Sequence, residues 1–222
     1  MKKLLTALIL GAAALTASAQ SWPAKPIRLV VPFPPGSATD TVARAFGGAV
    51  SQAVGQPVLV ENKAGADGAI SGSEVMRSAP DGHTLFFATN SPMAVAPAMR
   101  KVPPYDPTRD FTPIADIGRY TFFIVVHPGV PAKNVAELLQ HAKDNPDKLN
   151  YATGNTTGIM STAQFMHLGG IKMVHVPYKG EPQALTDLIA GRVQFMVVSA
   201  GTSVPHIRDG KLRALAVITS SR

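Results

Sequence analysis

The sequence predicts an α/β fold with two domains, each a sheet flanked by helices. Two observations lead to this prediction: short apolar runs alternate with amphipathic helical patterns, and a proline-rich stretch over 92–113 interrupts the alternation once. Strands that alternate with helices are typical of a parallel sheet covered by helices on both faces. The interruption predicts a crossover, with domain 1 at 20–102 and domain 2 at 103–222.

Domain 1 shows three strand patterns and two helix patterns. In the first helix pattern, Val42, Ala43, Phe46 and Ala49 lie on one face, as in an amphipathic helix. In chain order, the predicted elements are a strand at 27–31, a helix at 39–54, a strand at 58–60, a helix at 69–77 and a strand at 84–88.

Domain 2 continues the alternation. Asn145-Pro146 ends one of its helices and Gly191 ends another. In chain order, the predicted elements are a strand at 120–126, a helix at 135–143, a strand at 149–152, a helix at 159–168, a strand at 173–176, a helix at 183–190, a strand at 193–198, a short helix at 204–208 and a strand at 212–218.

Residues 1–19 predict a secretory signal peptide. Lys2 and Lys3 precede an apolar run from Leu4 to Thr16, and Ala17-Ser18-Ala19 has small residues at both positions of an A-x-A cleavage site. A membrane anchor is the alternative, but the run is shorter than the roughly 20 apolar residues that span a bilayer. We therefore expect export, with cleavage after Ala19.

The net charge favours small anions as partners. Cleavage removes Lys2 and Lys3, so the formal charge falls from +7 to +5 over the remaining 203 residues. A modestly basic surface attracts anions. The lysines and arginines are scattered and are not interleaved with aromatic residues, which argues against nucleic acid as a partner.

The composition excludes several kinds of site. The 222 residues contain no cysteine, which removes disulfides, thiolate metal sites, iron–sulfur clusters and cysteine nucleophiles. The sequence has no G-x-S-x-G elbow, no Walker A loop and no H-E-x-x-H helix, and its histidines are not spaced as a metal-binding pair. We expect no catalytic residues, no metal site and no cofactor.

The loop after the first strand, residues 32–40, is the first candidate binding site. In open α/β sheets, ligands bind outside the carboxyl ends of the strands, and the following helix presents unpaired N–H groups that suit a carboxylate or phosphate. A proline-rich turn in which Ser37 or Thr39 only caps the helix is the alternative. Asp40 fits a cap partner in the first turn, or an acid that meets the ammonium group of an amino-acid ligand.

Two further glycine-containing loops follow strands. Residues 62–68 contain Gly65 and Gly68, but their spacing does not match a dinucleotide-binding fingerprint, so a flexible turn is the simpler interpretation. Residues 153–158 combine two glycines with hydroxyl and amide side chains, which suits a carboxylate cradle or a helix cap. One cradle in each domain indicates a ligand clamped between the domains.

The segment after the strand at 173–176 is a further candidate wall of this cleft. His175 could line the cleft, and Tyr178 and Lys179 could face a ligand. A solvated lysine and a histidine on the surface or in the core are the commoner cases.

Five motifs in this order resemble one family. They are Pro-Phe-Pro-Pro-Gly at 32–36 with Asp40 and Ala43-Arg44, Glu61-Asn62-Lys63-Ala64-Gly65-Ala66 with Gly68, Pro80-Asp81-Gly82-His83-Thr84-Leu85, Asp110-Phe111-Thr112-Pro113, and Val176-Pro177-Tyr178-Lys179-Gly180. The family is the Bug family of TctC-like periplasmic solute-binding proteins, the receptors of tripartite tricarboxylate transporters. The resemblance runs from about Trp22 to the last residue.

The resemblance implies a periplasmic-binding-protein-like fold of type 2, in a periplasmic monomer that delivers a carboxylated solute to membrane permease subunits. The ligand would be a di- or tricarboxylate, an amino acid or an aromatic acid. Carried onto this sequence, the ligand-binding residues are Phe33, Pro34, Gly36, Ser37, Asp40, Ala66, Asp67, Gly68, Thr89, Asn90, Gly154, Asn155, Thr156, Thr157 and Gly158, with Pro177 and Tyr178 at the rim.

Three departures from the family pattern bear on these expectations. Ser37 stands where many members have glycine, and Val198 stands where many have aspartate. Members also continue beyond the position of Arg222, so the resemblance implies a C-terminally truncated chain with an incomplete domain 1. A sensory protein that presents an organic acid to a signalling partner is the alternative function.

Overall fold

The computed structural model describes residues 22–218 of the chain. The predicted signal peptide, its cleavage after Ala19 and the last residues before the predicted truncation at Arg222 lie outside this range. Within the described range, no helix is both long and apolar enough to cross a membrane.

The first unit is a three-stranded parallel sheet with the strand order β2-β1-β3. Its elements are β1 (Ile27–Val31), α1 (Ala38–Val54), β2 (Val58–Asn62), α2 (Ala69–Met76) and β3 (Thr84–Phe86). Leu29 and Val31 of the central strand share a buried apolar cluster with Ala43 of α1. Helix α1 therefore covers one face of this sheet.

The second unit is a five-stranded sheet with the strand order β6-β5-β7-β4-β8. Its elements are β4 (Phe122–Val126), α3 (Val135–Asp144), β5 (Asn150–Thr153), α4 (Thr156–Gly169), β6 (Val174–Pro177), α5 (Glu181–Ile189), β7 (Phe195–Ser199), α6 (Ala200–Arg208) and β8 (Arg213–Val217). Strand β5 is parallel to β6 and β7, whereas β4 is antiparallel to both of its neighbours. Residues 99–121 contain no helix and bring the chain into β4 from the first unit, whose strands lie in a separate sheet.

Side-chain caps determine where three helices begin. Ser37, Asn134 and Asn155 each accept a hydrogen bond from the backbone amide three residues further on, at the starts of α1, α3 and α4. Each cap satisfies an amide that has no partner within its own helix. Of the two caps predicted for α1, Ser37 is the one that forms.

The second sheet is buried on both faces by helices. On one face, Phe195 of β7 lies in a cluster with Leu138 of α3. On the other face, Met196 of the same strand lies in a cluster with Leu185 and Leu188 of α5. Successive residues of a strand point to opposite faces, so β7 contributes to both cores.

The proline-rich crossover begins with helical turns and packs on the first unit. Ser91–Val95 forms a π-helical turn, in which Pro92 is tolerated because an amide in the first turn needs no partner. Tyr105 donates a hydrogen bond to the Pro92 carbonyl and packs edge-on against Phe111, which also contacts Phe86 of β3. The boundary at residue 102 stays a prediction, and these contacts favour one beyond Phe111.

The assignment of the second core can be tested with one substitution at two sites. Leu138 is fully buried, whereas Leu168 is 75% exposed. We expect Leu138→Ala to lower the free energy of unfolding by about 2–5 kcal/mol, because it leaves a cavity. Leu168→Ala, the control, should change it by less than about 0.5 kcal/mol. Urea unfolding followed by circular dichroism measures both, and equal losses would contradict the assignment.

Candidate ligand-binding site

Two adjoining cavities lie between the first and second units, and Phe33 and Asn155 line both of them. Their walls are built mainly from segments that follow or end strands β1, β2, β5, β6 and β7. We call the first the large cavity, with a volume of about 370 Å³, and the second the small chamber, with about 30 Å³.

Most of the residues expected to bind ligand line these cavities. The large cavity is lined by Phe33, Ala66, Asp67, Gly68, Gly154, Asn155, Pro177 and Tyr178. The small chamber is lined by Phe33, Ser37, Thr89, Asn90, Asn155 and Thr157. The remaining expected residues line neither of them and belong to the supporting loops: Pro34, Gly36, Asp40, Thr156 and Gly158.

A strained turn forms the first-unit wall of the large cavity. Ala66 and Asp67 have positive φ angles of 48° and 56°, in a region that non-glycine residues rarely adopt. At Gly68, a Cβ atom would lie 2.9 Å from the Cβ of Pro32, so only glycine fits. Burial raises the pKa of Asp67, and the nearby charge of Arg100 partly opposes this effect.

The opposite wall of the large cavity is the loop between β5 and α4. Asn155 Oδ1 accepts a hydrogen bond from the Gly158 amide at 2.8 Å, which orients the side chain toward the start of α4. Gly154 packs so tightly on the backbone of Glu181 that a Cβ atom would overlap it. Lys179 and Asp67 are the charged side chains among the described residues that line this cavity.

Two groups that could have faced a ligand have partners elsewhere. Tyr178 lines the large cavity, but its hydroxyl donates to Asp187 Oδ2 at 2.6 Å; burial and this bond raise the pKa of Tyr178 to about 12. His175 stacks on Tyr151, with ring centroids 4.8 Å apart, and its Nε2 pairs with Thr153 Oγ1 at 2.7 Å. His175 lines neither cavity itself, so the expectation that it could line the cleft stays a prediction.

The small chamber contains a buried carboxylate that sequence reasoning missed. Glu181, the first residue of α5, is 5% exposed. Its Oε1 accepts hydrogen bonds from Asn155 Nδ2 at 3.0 Å and from the Ser199 amide at 3.1 Å. Its Oε2 accepts from the hydroxyls of Ser199 and Thr202. One side chain therefore joins the ends of β5 and β7 to the starts of α5 and α6.

Other walls of the small chamber also escaped the sequence reasoning. Tyr120 and Phe122 line it from the crossover and the start of β4, where no loop motif marks them. Burial raises the pKa of Tyr120. A side-chain hydrogen bond with Thr39 lowers this pKa, and the negative charge of Glu181 raises it further. Ser199 ends β7, so a search of every strand end for polar residues would have found it.

The two units contact each other directly across the cleft. Asn90 Nδ2 of the first unit donates a hydrogen bond to Thr157 Oγ1 of the second at 2.8 Å. Gly180 packs against the ring of Pro34, and a Cβ atom at this glycine would lie 2.6 Å from Pro34 Cδ. These contacts keep the cleft narrow.

Asp40 shapes the first loop and does not face either cavity. Its Oδ2 accepts hydrogen bonds from the Gly36 amide at 2.9 Å and Arg44 Nε at 3.1 Å, and its Oδ1 accepts from Asn62 Nδ2 at 2.8 Å. Burial by itself raises the pKa of Asp40, but the hydrogen bonds from Arg44, Gly36 and Asn62 outweigh it and leave the pKa below its ordinary value. This geometry favours the cap role over contact with a ligand.

Comparison with known sequences identifies the family. Residues 42–222 match the profile of the tripartite tricarboxylate transporter family receptor. The chain belongs to this receptor family. Its curated relatives include a UPF0065 protein of Bordetella pertussis, 37% identical over 218 residues, and the protein BugT of the same organism, 35% identical over 209 residues. These alignments cover 95% and 92% of this chain but only 65% and 64% of the relatives.

Solved structures of similar receptors share the fold. A periplasmic transporter matches with a TM-score of 0.87 and 42% identity, over 91% of this chain and 68% of that one. Rpa4515 of R. palustris with adipate matches with a TM-score of 0.88 and 34% identity, over 90% of this chain and 68% of that one. MatC from Rhodopseudomonas palustris with bound malate matches with a TM-score of 0.82 and 32% identity, over 90% of this chain and 69% of that one. The predicted fold class and the resemblance to the Bug family are confirmed, and this receptor family is not one of enzymes.

The role of Asp40 in the receptor can be tested by its pH dependence. At neutral pH, we expect Asp40→Asn to lower the free energy of unfolding by about 1–3 kcal/mol, since it weakens hydrogen bonds to a buried charge. The pKa of Asp40 is lower in the folded chain than the value of about 3.9 in an unfolded one. Its contribution is therefore present above that value and is lost as the pH falls through the folded-state pKa.

Urea unfolding of both proteins across a pH series measures this effect. The difference between the parent protein and Asp40→Asn should shrink as the pH falls below about 4. A difference that stays constant down to about pH 2 would show that the charge of Asp40 does not stabilise the loop.

Proposed function

We propose that the protein is an extracytoplasmic receptor that binds a small carboxylate in the cleft between its two units and delivers it to a tripartite tricarboxylate transporter. The observation that carries this proposal is the large cavity between the units. Its volume of about 370 Å³ lies within the range of small-molecule sites. Both units contribute walls, as in receptors that close around a ligand.

The chemistry of the large cavity supports an anionic ligand. Gly154 and Asn155 precede α4, and the amides at a helix start suit negative charge. Lys179 adds a positive charge to the same wall, whereas Asp67 lies on the opposite wall, where burial raises its pKa and so favours its neutral form. Two similar solved receptors hold adipate and malate, both of which are small dicarboxylates.

The contacts across the cleft support a role in closure. The Asn90–Thr157 hydrogen bond joins the units beside the small chamber, and a ligand that touches both units would add to it. Closure gives a permease subunit a surface by which to distinguish the loaded receptor from the empty one. The site of action is the periplasm, and the receptor acts as a monomer.

A thermal-shift screen tests the ligand class. We expect one or a few organic acids to raise the melting temperature, because a ligand at about 100 times its Kd adds about 2.7 kcal/mol to the free energy of unfolding. The screen covers dicarboxylates, tricarboxylates, aromatic acids and amino acids, with sugars and metal cations as the comparison set. If only sugars or cations raise the melting temperature, the carboxylate proposal fails.

The contribution of Lys179 can be tested with a matched control. We expect Lys179→Met to weaken binding of the acid found in the screen by about threefold, the size of an exposed charge interaction. Lys148, which is exposed and lines neither cavity, supplies the control Lys148→Met, with unchanged affinity. Isothermal titration calorimetry at low and high salt measures both. Equal affinities for the two variants would remove Lys179 from the site.

A further inference from the structure

The strained turn in the wall of the large cavity comprises residues 65–68. Gly65, Ala66, Asp67 and Gly68 all have positive φ angles, between 48° and 133°. For alanine and aspartate this conformation is costly, and such strain persists only where the surrounding structure holds it. All four residues line the large cavity, so the strain lies in the wall that a ligand meets.

The crossover supplies contacts that hold this turn. Arg100 Nη2 donates a hydrogen bond to the Ala66 carbonyl oxygen at 3.0 Å. The same oxygen accepts a hydrogen bond from the Ala69 amide, at the start of α2. Pro92 lies against Gly68, where a Cβ atom would be 2.9 Å from the Cβ of the proline. The turn is therefore held between α2 and the crossover.

Tyr105 fixes this part of the crossover on the first unit. Its hydroxyl donates a hydrogen bond to the Pro92 carbonyl at 2.7 Å. Its ring fills the space beside Gly72 of α2, where a Cβ atom would overlap the ring. Arg100 lies between Pro92 and Tyr105 in the chain, so its side chain extends from an anchored segment.

Arg100 is close to the large cavity but lines neither cavity. Its charge is near enough to Asp67 to oppose the rise that burial causes in the pKa of that side chain. Its hydrogen bond is made to the backbone of a lining residue. A residue placed in this way acts on a ligand through the wall of the cavity.

We propose that Arg100 is a positioning residue for ligand binding: its hydrogen bond to Ala66 holds the strained turn in the conformation that forms the wall of the large cavity. This inference rests on the proposed function and deepens it, because it assigns part of the affinity to a residue outside the cavity. Without the bond, the turn relaxes toward the negative φ angles that alanine and aspartate prefer. A ligand must then restore the shape of the wall, and this ordering weakens binding.

Substitutions at Arg100 test the proposal on the purified protein by calorimetry. The probes are adipate and malate, which two similar receptors hold, and the acid with the largest shift in the thermal screen. We expect Arg100→Met to weaken binding by about three- to tenfold, as the loss of one hydrogen bond implies. Arg100→Lys keeps a donor and the charge, so its affinity should stay within about twofold of the parent protein. Arg77→Met, at an exposed arginine that lines neither cavity, is the control and should leave the affinity unchanged.

A second substitution shows whether Arg100 acts through the strained turn. Ala66→Gly removes the cost of a positive φ at this position, because glycine adopts such angles freely. In the Arg100→Met background, we expect it to raise the affinity by about twofold or more, a larger gain than in the parent protein. Asp147→Gly is the matched control, since Asp147 also has a positive φ, 58°, but is exposed and lines neither cavity. It should restore none of the lost affinity.

The outcomes separate this inference from the proposed function. Salt screens a general attraction between Arg100 and an anion, so a loss in Arg100→Met that disappears at high salt, or that Arg77→Met matches, overturns the inference while the receptor stands. Equal recovery by Asp147→Gly and Ala66→Gly also overturns it, because stabilisation at any site would then suffice. Arg100→Gln replaces Arg100→Met if that variant does not fold, with a loss of affinity again expected. If no acid binds to the parent protein, the proposed function fails, and this inference fails with it.

Discussion

The side of the second unit that faces the cleft is held together by the carboxylate of Glu181. Its hydrogen bonds connect Asn155, after β5, with Ser199, at the end of β7, and Thr202, in α6. A buried carboxylate that lacks donors is strongly destabilising, so these segments keep their relative positions as one network. Both cavities depend on this network, because Asn155 lines each of them.

The two units use buried acids in different ways to shape their loops. Asp40 in the first unit has a cationic partner, Arg44, so its charge is compensated where it lies. Glu181 in the second unit has only neutral donors, and it lines the small chamber. The first acid therefore acts on the conformation of its own loop, whereas the second also forms part of the wall of the cleft.

The fold could be predicted largely because its central strands are short and buried. Ile27–Val31 has the predicted bounds, since four of its five residues are apolar and the run is too short for a buried helix. The antiparallel direction of β4 had no such signal, because strand direction depends on the path of the crossover. The loops after β1 and β5 were also found from sequence, as ligand sites follow the carboxyl ends of strands.

The sequence by itself determined the alternation of strands and helices, the family, and the loops that form most of the cleft. Only the tertiary structure decided which side chains in those loops face a ligand. Asp40 accepts a hydrogen bond from Asn62, and His175 is hydrogen-bonded to Thr153; each partner is 22 residues away along the chain. Glu181 accepts a hydrogen bond from Asn155, which is 26 residues away. Periodicity and local motifs describe neighbours along the chain, whereas the partner of a buried polar group is decided by strands that meet only in the folded sheet.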